Sequence, residues 1–311
     1  MADPYDVIVA GGGIAGLTAG LRAAELGRRT LVLTGPLLGG NLLAIESVEG
    51  WPGAPDGIAG YELCPSVQEQ ASAAGADFAM EEIDAIAPGD GVWTVTAGGT
   101  EFGARALIVA TGAAFRPLGV EGETRLIGRG VSHCASCDAP LLRGRRVAVI
   151  GGGDSACQEA LTLAGAASHV TILTHGERLS AQATFCERVH AAPNIEIRTH
   201  CEVREILGDD TVAGLNFADR QSGAVADLEA DAVFIYIGLR PSTSFLQGHV
   251  ALDSTGQVPV DAMMRSETQG LLAAGLARRG AAGRAAASAE DGNIAAKAAD
   301  RYLNGGAWRD S

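Results

Sequence analysis

The sequence predicts an α/β fold made of two nucleotide-binding units, and three observations predict it. An apolar, β-branched run is followed by a glycine-rich turn and an alanine- and leucine-rich stretch, and this happens twice. Each copy leads into a further apolar run of strand length. The chain has 311 residues and is 47% hydrophobic, enough for two domains with cores of their own.

The first copy opens with Tyr5 to Ala10 (YDVIVA), which reads as a buried strand. Gly11, Gly12, Gly13, Ile14, Ala15 and Gly16 form the turn, and a helix is expected to about Leu26 with Gly27 closing it. Thr30 to Thr34 (TLVLT) is the next strand. Strand, G-x-G-x-x-G, helix, strand is the Rossmann βαβ arrangement. Its glycines let the backbone approach a pyrophosphate, which rests on the helix N-terminus. Phe78 to Ala87 and Val92 to Ala97 alternate like a small β-meander inserted in this unit. Leu107 to Thr111 (LIVAT) reads as a buried strand ending at Gly112.

The second copy begins 140 residues later, counted from Gly11 to Gly151. Arg146 to Ile150 is the strand and Gly151, Gly152, Gly153, Asp154, Ser155 and Ala156 the turn. A helix runs to about Leu163, followed by a strand from His169 to Thr174. Ile195 to Thr199, Glu202 to Leu207, Val212 to Phe217 and Ala232 to Ile237 read as further strands. The tail holds a strand at Leu271 to Ala274 and a helix from about Ser288 to Leu303. One glycine loop is a weak signal; two in full strand–turn–helix context point to two dinucleotide-binding domains.

Composition excludes several function classes. There are 23 basic and 37 acidic residues, a net charge of −14, so no basic face for nucleic acid is expected. No run of about 20 apolar residues offers a membrane span. The N-terminal residues lack the basic region of a secretory signal, so a cytoplasmic protein is expected. The 43 glycines are about twice the usual share of roughly 7%, and their clusters carry the information.

Six cysteines in a cytosolic chain are not a disulfide scaffold. Cys134-Ala135-Ser136-Cys137, however, is a C-x-x-C, which cycles between dithiol and disulfide when one thiol has a depressed pKa. A zinc site needs two more ligands at matching spacing. Cys64, Cys157, Cys186 and Cys201 are scattered singly, so no metal is expected.

Over almost its full length the chain resembles the low-molecular-weight thioredoxin reductase family. Gly39-Gly40-Asn41 is similar to that family's G-G-Q, Glu49-Gly50-Trp51-Pro52-Gly53 to its E-N-W-P-G, and Thr111-Gly112 to its A-T-G turn. Cys134 to Asp138 is similar to its C-A-T-C-D, and Gly151 to Ala156 to its second nucleotide loop. The resemblance implies two Rossmann-like three-layer ββα domains, each with a small β-meander. The FAD domain would comprise 1–115 and 245–311, with the central domain, 116–244, inserted in it. It implies FAD held by Gly11, Gly13, Ile14, Ala15, Gly16, Thr34, Gly39, Gly40, Asn41, Trp51, Thr111, Gly112, Gly275, Arg284 and Ala285. Cys137 would exchange electrons with the flavin, Cys134 would react with the partner, and Asp138 would handle the proton. A protonated His133 beside Cys134 would lower that thiol's pKa; a structural histidine is the alternative reading. A homodimer and a thioredoxin-like or small dithiol partner are also implied.

Two departures qualify the resemblance. NADPH-using members carry H-R-R-x-x-x-R after the second strand of the central domain, a charge-matched grip on the 2′-phosphate. Here the stretch is Thr174-His175-Gly176-Glu177-Arg178-Leu179-Ser180, with His175, Gly176 and Ser180 in place of the arginines. In the tail, the family's A-G-D becomes Ala274-Gly275-Leu276, and its R-Q-A becomes Gly283-Arg284-Ala285. Glu290-Asp291-Gly292 stands where small residues are usual, and Arg278, Arg279 and Arg284 make this loop basic. The expectation is an FAD-dependent disulfide oxidoreductase that does not use NADPH. Its counterparts are ferredoxin-linked or diflavin-linked members, the latter with a second flavin or other nucleotide on the loop Gly151, Gly153, Asp154, Ser155 and Ala156. The alternatives are a conventional NAD(P)H enzyme, with Glu177 bonding a ribose 2′-OH of NADH, an oxygen-dependent dithiol oxidase, and a nucleotide-binding sensor without catalysis.

Overall fold

A computed structural model describes residues 3–308. The chain divides into two compact units, one of residues 1–114 with 240–311 and one of residues 115–239. The first crossing falls one residue from the expected boundary, and the second five residues before it.

In the first unit, alternation along the strand Tyr5–Ala10 sets the layers. It pairs in parallel with Thr30–Leu33 on one side and Thr100–Val109 on the other. Val7 and Val9 face the helices Ile14–Glu25 and Ala285–Leu303. Ile8 and Ala10 face the opposite layer with Ile86, Trp93 and Val95. The two helices are rich in alanine because they lie close. Ala15, Ala19, Ala295 and Ala299 share their seam, and a Cβ on Gly292 would collide with the Ala15 carbonyl. The long strand Thr100–Val109 belongs both to the parallel sheet and, through Trp93–Ala97, to an antiparallel meander ending at Ile83–Pro88.

The strand at Phe78 departs from expectation. Asp77–Ala79 pairs in parallel with Thr30–Leu33 at the sheet edge and takes no part in the meander. Alternation alone reveals that a segment is a strand, not which neighbour it pairs with. The tail strand Leu271–Ala273 adds to Thr100–Val109 in parallel. The final helix starts at Ala285, three residues earlier than Ser288 suggested.

The second unit repeats the plan. Its five-stranded parallel sheet runs in the order Ile195–Arg198, His169–Leu173, Arg146–Ile150, Ala232–Ile235, Val131–Ser132. Val147 and Val149 face the helices Asp154–Ala164 and Ala183–Ala191. Ala148 and Ile150 face a separate three-stranded meander of Cys201–Leu207, Gly214–Asp219 and Val225–Glu229. Both units are therefore three-layer, with meander, sheet and helices.

Candidate active site

The first glycine loop is shaped by what its glycines exclude. Gly11 has φ +120°, and a Cβ there would collide with the Ala110 carbonyl. A Cβ on Gly16 would collide with the Gly11 carbonyl, so the first helical turn presses on the loop. Gly13 differs: its φ is ordinary and no atom lies within 4 Å of where its Cβ would be. It leaves open space at the N-terminus of Ile14–Glu25, where no side chain caps the helix. Such an end presents free amides and a positive dipole to an anion.

Several of the other residues expected to hold FAD lie beside this loop. The Gly39 amide donates to the Gly12 carbonyl at 2.8 Å, and Gly40 lies against Gly13. Gly12 packs on Thr34, whose hydroxyl donates to the Gly35 and Ala79 carbonyls. Thr111 follows Ala110 beside Gly11 and donates through its hydroxyl to the Ser242 carbonyl at 2.7 Å. Gly112 takes a left-handed turn, and the Asn41 amide reaches the Ala113 carbonyl at 2.8 Å. Trp51 packs half-buried against the group containing Ile14 and Leu17. Gly275 packs on Ala15 and Ser288, and Arg284 stands at the N-cap of the final helix, which opens with Ala285.

Sequence reading singled out Asp291 but not its task. Its carboxylate accepts the Gly275 amide at 3.1 Å and two bonds from Arg278 at 2.7 and 2.8 Å. Both side chains are largely buried. The A-G-L turn is thus fastened from the helix behind it. The residues present fit an FAD: the glycine cradle, the uncapped helix end and the converging segments are those a dinucleotide needs.

The second loop keeps the same backbone form. Gly151 has φ +134°, and a Cβ there would collide with the Tyr236 carbonyl. Asp154 is bonded by the backbone and side-chain amides of Gln182, both at 2.8 Å. Ser180, at an expected arginine position, turns back onto the loop: its amide and hydroxyl both donate to the Gly152 carbonyl. His175, Glu177 and Arg178 are exposed.

The C-x-x-C follows the edge strand Val131–Ser132. Cys134 precedes a single helical turn, Ala135–Asp138, and is joined to Cys137 by a disulfide. The Cys134 amide donates to the Ser132 hydroxyl, and the Cys137 amide faces the Cys134 sulfur at 3.3 Å. Cys137 is exposed, while Cys134 and Asp138 are half-buried. The other four cysteines are thiols. Burial pushes Cys64 up to about 11 and Cys157 up to about 12, and it raises Cys201 as well. These thiols are held out of the reactive thiolate form. Among the described residues, no group of His, Cys, Asp and Glu is placed to hold a metal.

His133 does not suit the cationic role. Its ring stacks on Phe115, and burial lowers its pKa despite the facing Glu123 carboxylate. Glu123 is itself occupied, accepting the Leu118 and Gly119 amides at 2.9 and 2.6 Å. The imidazole is therefore neutral near pH 7. Phe115 and Tyr236, which complete this aromatic group, carried no signal in the sequence.

Comparison with known proteins agrees with this geometry. The family model of the pyridine nucleotide-disulphide oxidoreductases matches residues 5–292. A thioredoxin reductase of Treponema pallidum is 38% identical over 304 residues, covering 98% of this chain and 99% of that protein. The chain belongs to the thioredoxin reductase family. It is a flavin-dependent disulfide oxidoreductase. Among solved structures, Lactococcus lactis thioredoxin reductase is similar with a TM-score of 0.94 at 31% identity, covering 97% of this chain and 99% of that one. The thioredoxin reductase of T. acidophilum gives 0.91, also at 31%, with the same coverage. No helix among the described residues of this family member is long and apolar enough to cross a membrane.

Proposed function

We propose that Cys134 and Cys137 exchange electrons with a thioredoxin-like protein or a small dithiol or disulfide, and that the electron donor is not NADPH. FAD would supply the two-electron carrier, held on the Gly11–Gly16 loop with the segments that converge there. In the reducing direction, the Cys134 thiolate attacks one sulfur of the partner disulfide; that bond breaks, a mixed disulfide forms, and the partner's other sulfur leaves as its first thiolate. Cys137 then attacks the Cys134 sulfur, restoring the internal disulfide and expelling the partner's second thiolate. Asp138, at the end of the same turn, is the group suited to move the accompanying proton. Two electrons pass to the partner, and each of its sulfurs ends as a thiol.

The observation that carries the donor assignment is the loop Thr174–Ser180. It holds no arginine at 175, 176 or 180, and Ser180 is tied to Gly152. A 2′-phosphate needs multidentate cationic donors, and Arg178 next to Glu177 is a poor substitute. Reduced ferredoxin, or a second flavin on the Gly151–Ala156 loop, are the donor classes that fit. A homodimer is the expected assembly. Anaerobic titration with NADPH, NADH and reduced ferredoxin, followed at the flavin absorbance band, tests this. Bleaching by ferredoxin alone supports the proposal, and rapid bleaching by micromolar NADPH overturns it.

A second reading has an observation of its own. The Gly151–Ala156 loop retains the backbone form of the first loop, and the relatives named above are thioredoxin reductases. A conventional enzyme using NADH, with Glu177 on the ribose 2′-OH, would be bleached by NADH and turn over thioredoxin. Oxygen uptake with a small dithiol would mark a dithiol oxidase instead.

A further inference from the structure

Two buried polar atoms lie on rings that flank Phe115 behind the Cys134–Cys137 turn. Phe115 stacks on His133, with centroids 4.9 Å apart, and meets Tyr236 edge-on at 5.8 Å. The His133 Nε2 and the Tyr236 hydroxyl are both buried without a hydrogen-bond partner in the disulfide form. Such a group lowers stability and asks for an explanation.

Tyr236 is 6% exposed and directly follows the strand Ala232–Ile235. Its carbonyl closes over Gly151, so the backbone that carries the ring is fixed. The groups facing its hydroxyl are the Ala135 amide of the C-x-x-C turn and the carboxylates of Glu159 and Asp138. Neither carboxylate accepts the hydroxyl proton. Burial, then the Glu159 charge, hold the phenol protonated, so it is a standing donor.

Reduction creates an acceptor. Two electrons break the sulfur–sulfur bond, and uptake of one proton leaves one thiol and one thiolate. We infer that Tyr236 is a positioning residue for the redox pair: its hydroxyl gains its acceptor when the disulfide opens, donates to the anionic sulfur, and so favours the reduced form. Hydrogen bonds to charged acceptors are the strong ones. This rests on the reading of Cys134 and Cys137 as a redox-active pair.

The test uses the flavin-bound protein, equilibrated anaerobically in mixtures of reduced and oxidised dithiothreitol. The reductant gives two electrons and closes to its ring disulfide, one of its protons going to the protein and one to solvent. Acid quenching, denaturation and maleimide labelling then count thiols by mass: of the six cysteines, four label in the disulfide form and six in the reduced form. Tyr236→Phe is expected to move the equilibrium toward the disulfide about tenfold, equivalent to ~30 mV for a two-electron couple. The same substitution is expected to leave the oxidised protein at least as heat-stable as wild type and the reduced protein less so. Equal equilibrium constants for the two proteins overturn the inference and leave the redox reading intact. A pair that stays closed at every dithiol ratio overturns both.

Discussion

Asp291 holds Arg278 through both carboxylate oxygens and the Gly275 amide through one of them. The relationship answers the oddity of the tail, where Leu276 replaces an expected aspartate. The Gly275 turn is secured by a carboxylate from the final helix, behind the loop. Position 276 itself carries a half-buried leucine, so no polar group has been restored there.

Asp291→Ala leaves the Arg278 guanidinium buried and uncompensated, a situation that costs about 3–5 kcal/mol. A clearly lower melting temperature and faster flavin release are expected. Thermal unfolding and FAD fluorescence on dilution measure the two effects. Unchanged melting would remove the pair from the list of interactions that hold this fold.

The two glycines that bracket the first helical turn should separate folding from binding. Gly16→Ala forces a methyl onto the Gly11 carbonyl, and a misfolded or strongly destabilised protein is expected. Gly13→Ala meets nothing and has an ordinary φ, so the apoprotein should melt normally. Its methyl would fill the space open to a pyrophosphate, and FAD affinity should fall tenfold or more. Equal FAD affinity in Gly13→Ala and wild type would contradict the cradle.

His133 makes stability pH-dependent in a definite direction. Burial holds its folded pKa below the ordinary 6.5. Between the two values the unfolded chain binds a proton that the folded chain does not, so stability rises with pH there. It is complete above 6.5 and is lost as the pH falls toward the folded value. Melting temperatures measured from pH 7 to pH 5 should fall less steeply in His133→Phe, which keeps the stack on Phe115. Parallel slopes would show that the imidazole is not the titrating group.

Grafting arginines tests the donor assignment from the opposite side. In His175→Arg/Gly176→Arg the new side chains occupy the position where a phosphate grip is absent. NADPH affinity should tighten tenfold or more, with NADH affinity little changed. Fluorescence quenching gives both constants, and an unchanged NADPH constant would mean that the loop does not decide the nucleotide.

The strand–turn–helix units were legible because periodicity and glycine placement are local properties. Tyr5–Ala10 and Arg146–Ile150 lie where the sequence puts them, and each glycine loop opens its helix. The helix Gly60–Ala73 was hidden by Pro65 and by a weakly apolar face. The strand Val225–Glu229 is largely exposed, so no apolar alternation announces it. Phe78 looked like meander because its pairing partner, Val32, is remote in sequence. The group of Phe115, His133 and Tyr236 was invisible for the same reason: 121 residues separate its outer members, and only the finished fold brings them together.

The close seam between Ile14–Glu25 and Ala285–Leu303 sets an order of events during synthesis. The first helix emerges well before the surface it must bury against, which begins 271 residues later, counted from Ile14 to Ala285. The central segment, 115–239, has its whole sheet within one continuous stretch and can close while the ribosome is still translating. The N-terminal 114 residues must wait with an uncovered alanine face until the final helix arrives. Their long-range pairing is the slow, aggregation-exposed step. Truncation ahead of residue 285 should therefore leave a folded central unit attached to an unfinished one.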